Sequence, residues 1–249
     1  MTPNSIAIVT GSSRGIGRQT ALMLSEQGYK VGVNFIQDRV SAQSLINDID
    51  CCGGQGFLLP GDMSDEKTIC DVFEQADKHG LLRVLVNNVG IVAQQSSLLG
   101  MDSQRIHKII DTNLIGPMLC CQQAVKRMME QNPKDKRCII NISSIASKTG
   151  SPNEYVDYAA SKGGLDSFTI GLAKEVAKYG IRVNGVRPGT VDTDIHRLGG
   201  EPERAKSIAK IIPMQRPGTA HEVGKTVAWL ASDEASYMTG TIIDVAGGL

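Results

Sequence analysis

The sequence predicts an α/β fold: a single-domain doubly wound parallel sheet of about seven strands flanked by helices. Three observations predict it. Short Val- and Ile-rich runs recur along the chain, they alternate with longer amphipathic stretches, and a glycine-rich turn joins the first run to the first stretch. The expected strands are Ser5–Thr10, Lys30–Phe35, Gln55–Pro60, Val84–Asn87, Cys138–Ser143, Arg182–Arg187 and Thr241–Val245. They show little strict apolar/polar alternation, as befits strands covered on both faces. The clearest helix runs from about Glu154 to Lys178, where Leu165, Phe168, Leu172 and Val176 recur at spacings of three or four. Such alternation builds right-handed βαβ crossovers.

No internal repeat, low-complexity segment or long linker divides the 249 residues, so one domain, 1–249, is expected. A globule of that size buries about three quarters of its unfolded surface and needs no staples. Hydrophobic residues make up 41% and charged residues 21%, which is ordinary globular composition.

Lys plus Arg and Asp plus Glu both number 26, and zero net charge gives no electrostatic ground for a nucleic-acid or membrane partner. Met1 runs almost directly into Ile6-Ala7-Ile8-Val9, with no signal-peptide pattern and no apolar run of membrane length. The six cysteines include the adjacent pairs Cys51-Cys52 and Cys120-Cys121 but no Cys-x-x-Cys, which reads as reduced, mostly buried thiols in a cytoplasmic protein. His79, His107, His196 and His221 are scattered off metal-ligand spacing, and no metal site is expected. His196 stays open because of its neighbourhood.

The stretch Thr10-Gly11-Ser12-Ser13-Arg14-Gly15-Ile16-Gly17 follows the first strand and opens a helix. Gly11 permits a tight turn, while Gly15 and Gly17 let the backbone approach a pyrophosphate and pack helix on sheet. Its helix N-terminus offers free N–H groups and the positive dipole end to phosphates. The spacing is Gly-x-x-x-Gly-x-Gly, and a turn without ligand is its plain alternative. The second strand ends Asn34-Phe35-Ile36 without an acid for a ribose 2′-hydroxyl, and Asp38 lies beyond it. Arg14 in the loop and Arg39 past the strand suit a 2′-phosphate, so NADP(H) is expected ahead of NAD(H).

Tyr158-Ala-Ala-Ser-Lys162 puts a phenol and an ammonium on one helical face. The cation should lower the phenol's pKa and fit Tyr158 for proton transfer to or from a carbonyl oxygen. Tyr155 competes as the phenol, but Ala159 stands four residues on. Ser143 and Ser144 end the strand Ile139-Ile140-Asn141-Ile142 at the carboxyl edge, where open sheets bind ligands. In Asp111-Thr-Asn-Leu-Ile-Gly-Pro117, proline cannot donate back to the Asn113 carbonyl, which frees that oxygen for a water or simply kinks a helix.

Together these motifs resemble the short-chain dehydrogenase/reductase family in its compact single-domain branch, over approximately Ile6 to Gly248. The elements are Thr10–Gly17, Asp62, Asn87-Asn88-Val89-Gly90, Asn113, Ser144, Tyr158-x-x-x-Lys162 and Pro188-Gly189. The resemblance implies a Rossmann fold and catalysis by Asn113, Ser144, Tyr158 and Lys162. Ser144 would polarise the substrate oxygen, Tyr158 act as acid/base, Lys162 hold the nicotinamide ribose and Asn113 place a relay water. Ser144 is preferred to Ser143 on the family's spacing to the tyrosine.

It further implies a cofactor held by Gly11, Ser13, Arg14, Ile16, Gly17, Asn34, Asp62, Met63, Asn87, Gly90, Tyr158, Lys162, Pro188, Gly189, Val191 and Thr193. Val89 departs from the family's Asn-Asn-Ala-Gly and would crowd that strand end. The resemblance suggests a homotetramer (or homodimer) through helices around residues 104–130 and 155–178. The expected partner is a small carbonyl or alcohol, covered by a lid at about 192–215 that contains His196, Gly199-Gly200 and Met214. Similarity reaches 3-oxoacyl-carrier-protein reductases and sugar or polyol dehydrogenases. A non-catalytic NADP-binding sensor is the second reading, though it has no need of the complete Asn, Ser, Tyr, Lys set. A nucleotide-sugar epimerase or dehydratase, with its other glycine spacing and longer C-terminal region, is the third.

Overall fold

The computed structural model describes residues 4–132, 135–193, 199–201 and 204–249. Seven parallel strands form one sheet in the order β3-β2-β1-β4-β5-β6-β9. They are β1 (Ser5–Val9), β2 (Lys30–Phe35), β3 (Gln55–Pro60), β4 (Leu81–Asn87), β5 (Arg137–Ile142), β6 (Ile181–Pro188) and β9 (Ile242–Val245). All seven expected strands are present, within a few residues at each end. The order reverses between β1 and β4, the switch point where doubly wound sheets open a crevice.

Successive residues of each strand point to opposite faces, and both faces are packed. Ala7, Val9, Val31, Val33, Val84 and Val86 meet α1 (Gly15–Glu26), α2 (Arg39–Cys51) and α9 (Ala220–Ala231). Ile6, Ile8, Leu59, Leu85, Ile139 and Val183 meet α3 (Glu66–Asp77), α5 (Gly116–Met129) and α7 (Val156–Val176). Burial on both sides is why these strands read as continuous apolar runs.

β4 begins three residues earlier than expected because Arg83 interrupts the apolar pattern. Its guanidinium is nonetheless buried, paired with Asp135 at 2.8 Å and with the Gln131 Oε1 at 2.7 Å. A two-stranded parallel ladder between β7 (Val191–Asp192) and β8 (Gly218–Thr219) was not foreseen, since two residues carry no periodicity. The described residues also form two short α-helices, α6 (Ala146–Thr149) and α8 (Arg204–Ser207).

The irregularity expected from Pro117 takes the form of a π turn, Asp111–Ile115, between α4 (Ser103–Ile110) and α5. The Gly116 N–H donates to the Asp111 carbonyl, five residues back. A side chain at Gly116 has no room, because its Cβ would lie 2.1 Å from the Met63 carbonyl oxygen. Among the described residues no helix is long and apolar enough to cross a membrane.

Candidate active site

A cleft of about 1050 Å3 runs along the carboxyl edge of the sheet, across the switch point. At one end stands the glycine turn. Gly11 and Gly15 adopt φ of +59° and +56°, which L side chains rarely tolerate. Two asparagines fix this turn. The Asn34 Oδ1 accepts from the Gly11 N–H at 3.0 Å, and its Nδ2 donates to the carbonyls of Leu59 and Gly61. Asn88 donates from Nδ2 to the carbonyls of Thr10 and Gly11, while the Thr10 hydroxyl accepts from the Asn88 and Val89 N–H groups.

A Cβ at Gly17 would lie 2.6 Å from Asn88 Nδ2 and 2.8 Å from the Gly11 carbonyl, so only glycine lets α1 approach the turn. Val89 packs toward the turn, where its Cγ2 would stand 2.9 Å from a Cβ at Gly11. Asp38, Asp65, Asp102 and Thr219 cap α2, α3, α4 and α9 with side-chain hydrogen bonds, but Arg14 gives α1 none. The first turn of α1 therefore keeps its N–H groups toward the cleft, with Gly15 and Ile16 in the wall.

Arg14 lies under the end of β2 with its guanidinium 4.0 Å from Asp38. The backbone N–H of Ser41, then its hydroxyl, hold the Asp38 carboxyl below its ordinary pKa. Arg39, which the sequence reading paired with a 2′-phosphate, is not among the cleft residues.

The middle of the cleft gathers Ser144, Tyr158, Lys162, Gly90, Pro188 and Gly189 from the ends of β4, β5 and β6 and the three connections that follow them. The Ser144 side chain accepts from the Ala146 N–H at 3.2 Å and lies near enough to the Tyr158 hydroxyl to favour its ionised form. Lys162 is buried, its Nζ donating to the Ile142 carbonyl at 2.8 Å and lying 5.7 Å from the centre of the Tyr158 ring. Burial pulls the Lys162 pKa down to about 8, against the opposing charge of Asp166.

The expected lowering of the Tyr158 pKa does not hold in this arrangement. Burial raises it, outweighing the hydrogen bond from Ser144, while the Lys162 ammonium is directed to a backbone carbonyl. Charge desolvation wins over attraction for both groups.

A stability consequence follows for Lys162. Its native pKa lies below the 10.5 of the unfolded chain, so the unfolded state binds more protons between about pH 8 and 10.5. The penalty for the buried ammonium is complete below pH 8 and disappears as pH rises through this window. Urea unfolding of wild type and Lys162→Met at successive pH values should show wild type gaining on the variant by about 3 kcal/mol across it. A constant difference would contradict this.

Five of the expected site residues do not reach the cleft wall: Gly17, Asp62, Met63, Asn87 and Asn113. Asp62 accepts from the backbone N–H and hydroxyl of Ser64, and Met63 is buried beside Cys120. Asn87 points into the core, where its Nδ2 donates to Asn141 Oδ1 at 2.9 Å; Asn88 takes the wall instead. Asn113 is fully buried and clamps the backbone of Ile91 with both amide atoms, at 2.8 and 2.9 Å. Ser13, Val191 and Thr193 do line the cleft. His196 lies outside the described residues.

The far end holds residues that the sequence reading missed or set aside. Tyr155, Glu154, Thr149, Val92, Arg204, Ile208 and Ile211 close the wall there. Spacing could have offered only its helical neighbour Glu201, because its other partner, Glu154, lies fifty residues away.

This fold, its glycine turn and the Ser-Tyr-Lys grouping at the switch point define a dinucleotide-type oxidoreductase scaffold. The chain belongs to the short-chain dehydrogenase/reductase family of oxidoreductases. A family model described as enoyl-(acyl carrier protein) reductase matches residues 11–249. Among curated proteins, the chain is 50% identical over 245 residues to the uncharacterized oxidoreductase YgfF of Escherichia coli, covering 98% of this chain and 99% of that one. It is 37% identical over 244 residues to the 3-oxoacyl-acyl-carrier-protein reductase FabG of Staphylococcus aureus, covering 98% and 97%. A crystal structure of a dehydrogenase/reductase from Sinorhizobium meliloti superposes with a TM-score of 0.90 at 27% identity, covering all of this chain and 95% of that one.

Proposed function

We propose that the chain is an NADP(H)-dependent reductase of carbonyl groups, or dehydrogenase of the matching secondary alcohols, with Tyr158 as its acid/base. One observation carries this reading. The Tyr158 hydroxyl lies beside Ser144, one helical turn from Lys162, in the same cleft as the uncapped end of α1.

The cleft fits a dinucleotide. Its glycine turn leaves no space for side chains at Gly11 and Gly17, and α1 directs free N–H groups at it. Gly11, Ser13, Arg14 and Ile16 would hold the phosphates, with Gly17 shaping the turn from behind. Asn34 would shape the adenosine end, with Asp62 and Met63 acting from behind the wall. Gly90, Pro188, Gly189, Val191, Thr193 and Lys162 would receive the nicotinamide half, with Asn87 supporting Gly90 from the core. The nicotinamide supplies or accepts the hydride when it is bound. Tyr158 gives a proton to the carbonyl oxygen, Ser144 donates a hydrogen bond to the charge growing there, and Asn113 orders the strand end beside Lys162.

Preference for NADP(H) rests on Arg14, and the ionised Asp38 beside it works against a 2′-phosphate. Arg14→Ala should weaken NADPH far more than NADH, whereas Asp38→Ser should strengthen NADPH alone. Dissociation constants for both cofactors test this, and equal losses in Arg14→Ala would remove Arg14 from phosphate recognition. Consumption of NADPH with a panel of ketones, β-keto thioesters, ketoses and quinones tests the activity itself.

A homotetramer built on α4, α5 and α7 is supported by Ile115, Met118 and Ile170, large apolar side chains about 40% exposed there. A substrate lid over residues 192–215 is supported by Ile208 and Ile211 in the cleft wall. A cytoplasmic setting is supported by six free thiols, two of them exposed.

A further inference from the structure

The far end of the cleft is walled by a closed network of four side chains. Arg204, on α8, has a side chain only 13% exposed and pairs with Glu154 just before α7 and with Glu201 at 3.3 Å. Its guanidinium lies 5.1 Å over the Tyr155 ring, and the Tyr155 hydroxyl donates to Glu201 Oε1 at 3.0 Å. Glu154, Tyr155 and Arg204 face the cleft, beside the apolar Val92, Pro152, Ile208 and Ile211. Two carboxylates thus surround one guanidinium, leaving one negative charge in excess among the described residues at this end.

We infer that this network sets substrate specificity: it admits uncharged carbonyl compounds and excludes those whose carbon chain ends in a carboxylate. The inference rests on the reductase reading above. A guanidinium beside an open cleft ordinarily recruits a carboxylate. Here its hydrogen-bonding edges are already committed to Glu154 and Glu201. An incoming carboxylate must displace one of them and leave a half-buried negative charge beside another. A neutral ketone or keto ester displaces neither, and finds the aliphatic wall of Val92, Ile208 and Ile211.

The test uses a matched pair, methyl levulinate and levulinate, which share a ketone and differ in one charge. Binding to the full chain saturated with oxidised NADP is measured by titration calorimetry. Turnover with NADPH is measured separately. Wild type should bind the ester at least about tenfold more tightly than the acid. The double variant Glu154→Gln, Glu201→Gln leaves Arg204 without a carboxylate partner and should reverse the preference.

Should the double variant not fold, Glu201→Gln alone, altered on the lid and away from the sheet, should narrow the ratio in the same direction. Equal affinities in wild type, preference for the acid, no binding of either compound, or a ratio unmoved in the variants would overturn the inference. Ester binding without consumption of NADPH would count against the reductase reading and leave the charge selection standing.

Discussion

Replacing Tyr158 by Phe should lower turnover by about a thousandfold while leaving dinucleotide affinity within a few-fold of wild type, because general acid catalysis contributes roughly 10²–10⁴. The substitution removes one oxygen, and with it the Ser144 contact, but leaves Lys162 held at the Ile142 carbonyl. Steady-state kinetics and calorimetric titration of the cofactor measure the two halves, and a variant with wild-type turnover would end the acid/base role. The raised pKa adds a directional expectation. A phenol that keeps its proton at neutral pH is ready to donate it to a carbonyl being reduced, whereas alcohol oxidation needs the phenolate. Oxidation should therefore climb with pH through the neutral range while reduction does not.

The second large effect concerns stability. Arg105, on α4, holds the Asp157 carboxylate with two hydrogen bonds, at 2.8 and 3.3 Å, and reaches the Gln94 carbonyl at 2.6 Å. Asp157 is nearly sealed, with a side chain 3% exposed, and also accepts from the Tyr158 N–H at 2.9 Å. One guanidinium thereby joins α4, the segment after β4 and the first turn of α7. Arg105→Ala strands a buried carboxylate and should cost about 3 kcal/mol in urea unfolding. Arg105→Met combined with Asp157→Leu removes both charges and should cost much less. If the single and double variants lose the same amount, packing rather than charge holds this corner together.

Much of this was legible in the sequence, for identifiable reasons. β2 and β3 match residue for residue because Val, Leu and Phe dominate them and the one polar residue within them, Asn34, comes near the strand end. The kink at Pro117 could be read because a missing N–H is a local fact, although a π turn could not be distinguished from other breaks. Arg83 concealed the start of β4 because its burial depends on distant partners such as Asp135 and Gln131.

The site divides in the same way. Residues that serve through backbone shape or a four-residue spacing, such as Gly11, Tyr158 and Lys162, were readable. Those that serve through distant partners, such as Arg105, Asp157, Glu154 and Arg204, were not. The assignment of Asn87 rather than Asn88 to the wall failed on orientation, since adjacent strand-end residues face opposite ways. The Tyr158 pKa failed because desolvation depends on the assembled surroundings, which spacing does not contain.

The glycine turn is braced by Asn34 from the second strand and Asn88 from just past the fourth, and by little of its own sequence. During synthesis, then, the first few dozen residues leaving the ribosome lack the struts that shape this turn. The turn is fully braced only once nearly ninety residues have emerged and paired. A truncated amino-terminal fragment would thus be a poor surrogate for measuring nucleotide affinity, however intact its glycine signature looks on paper.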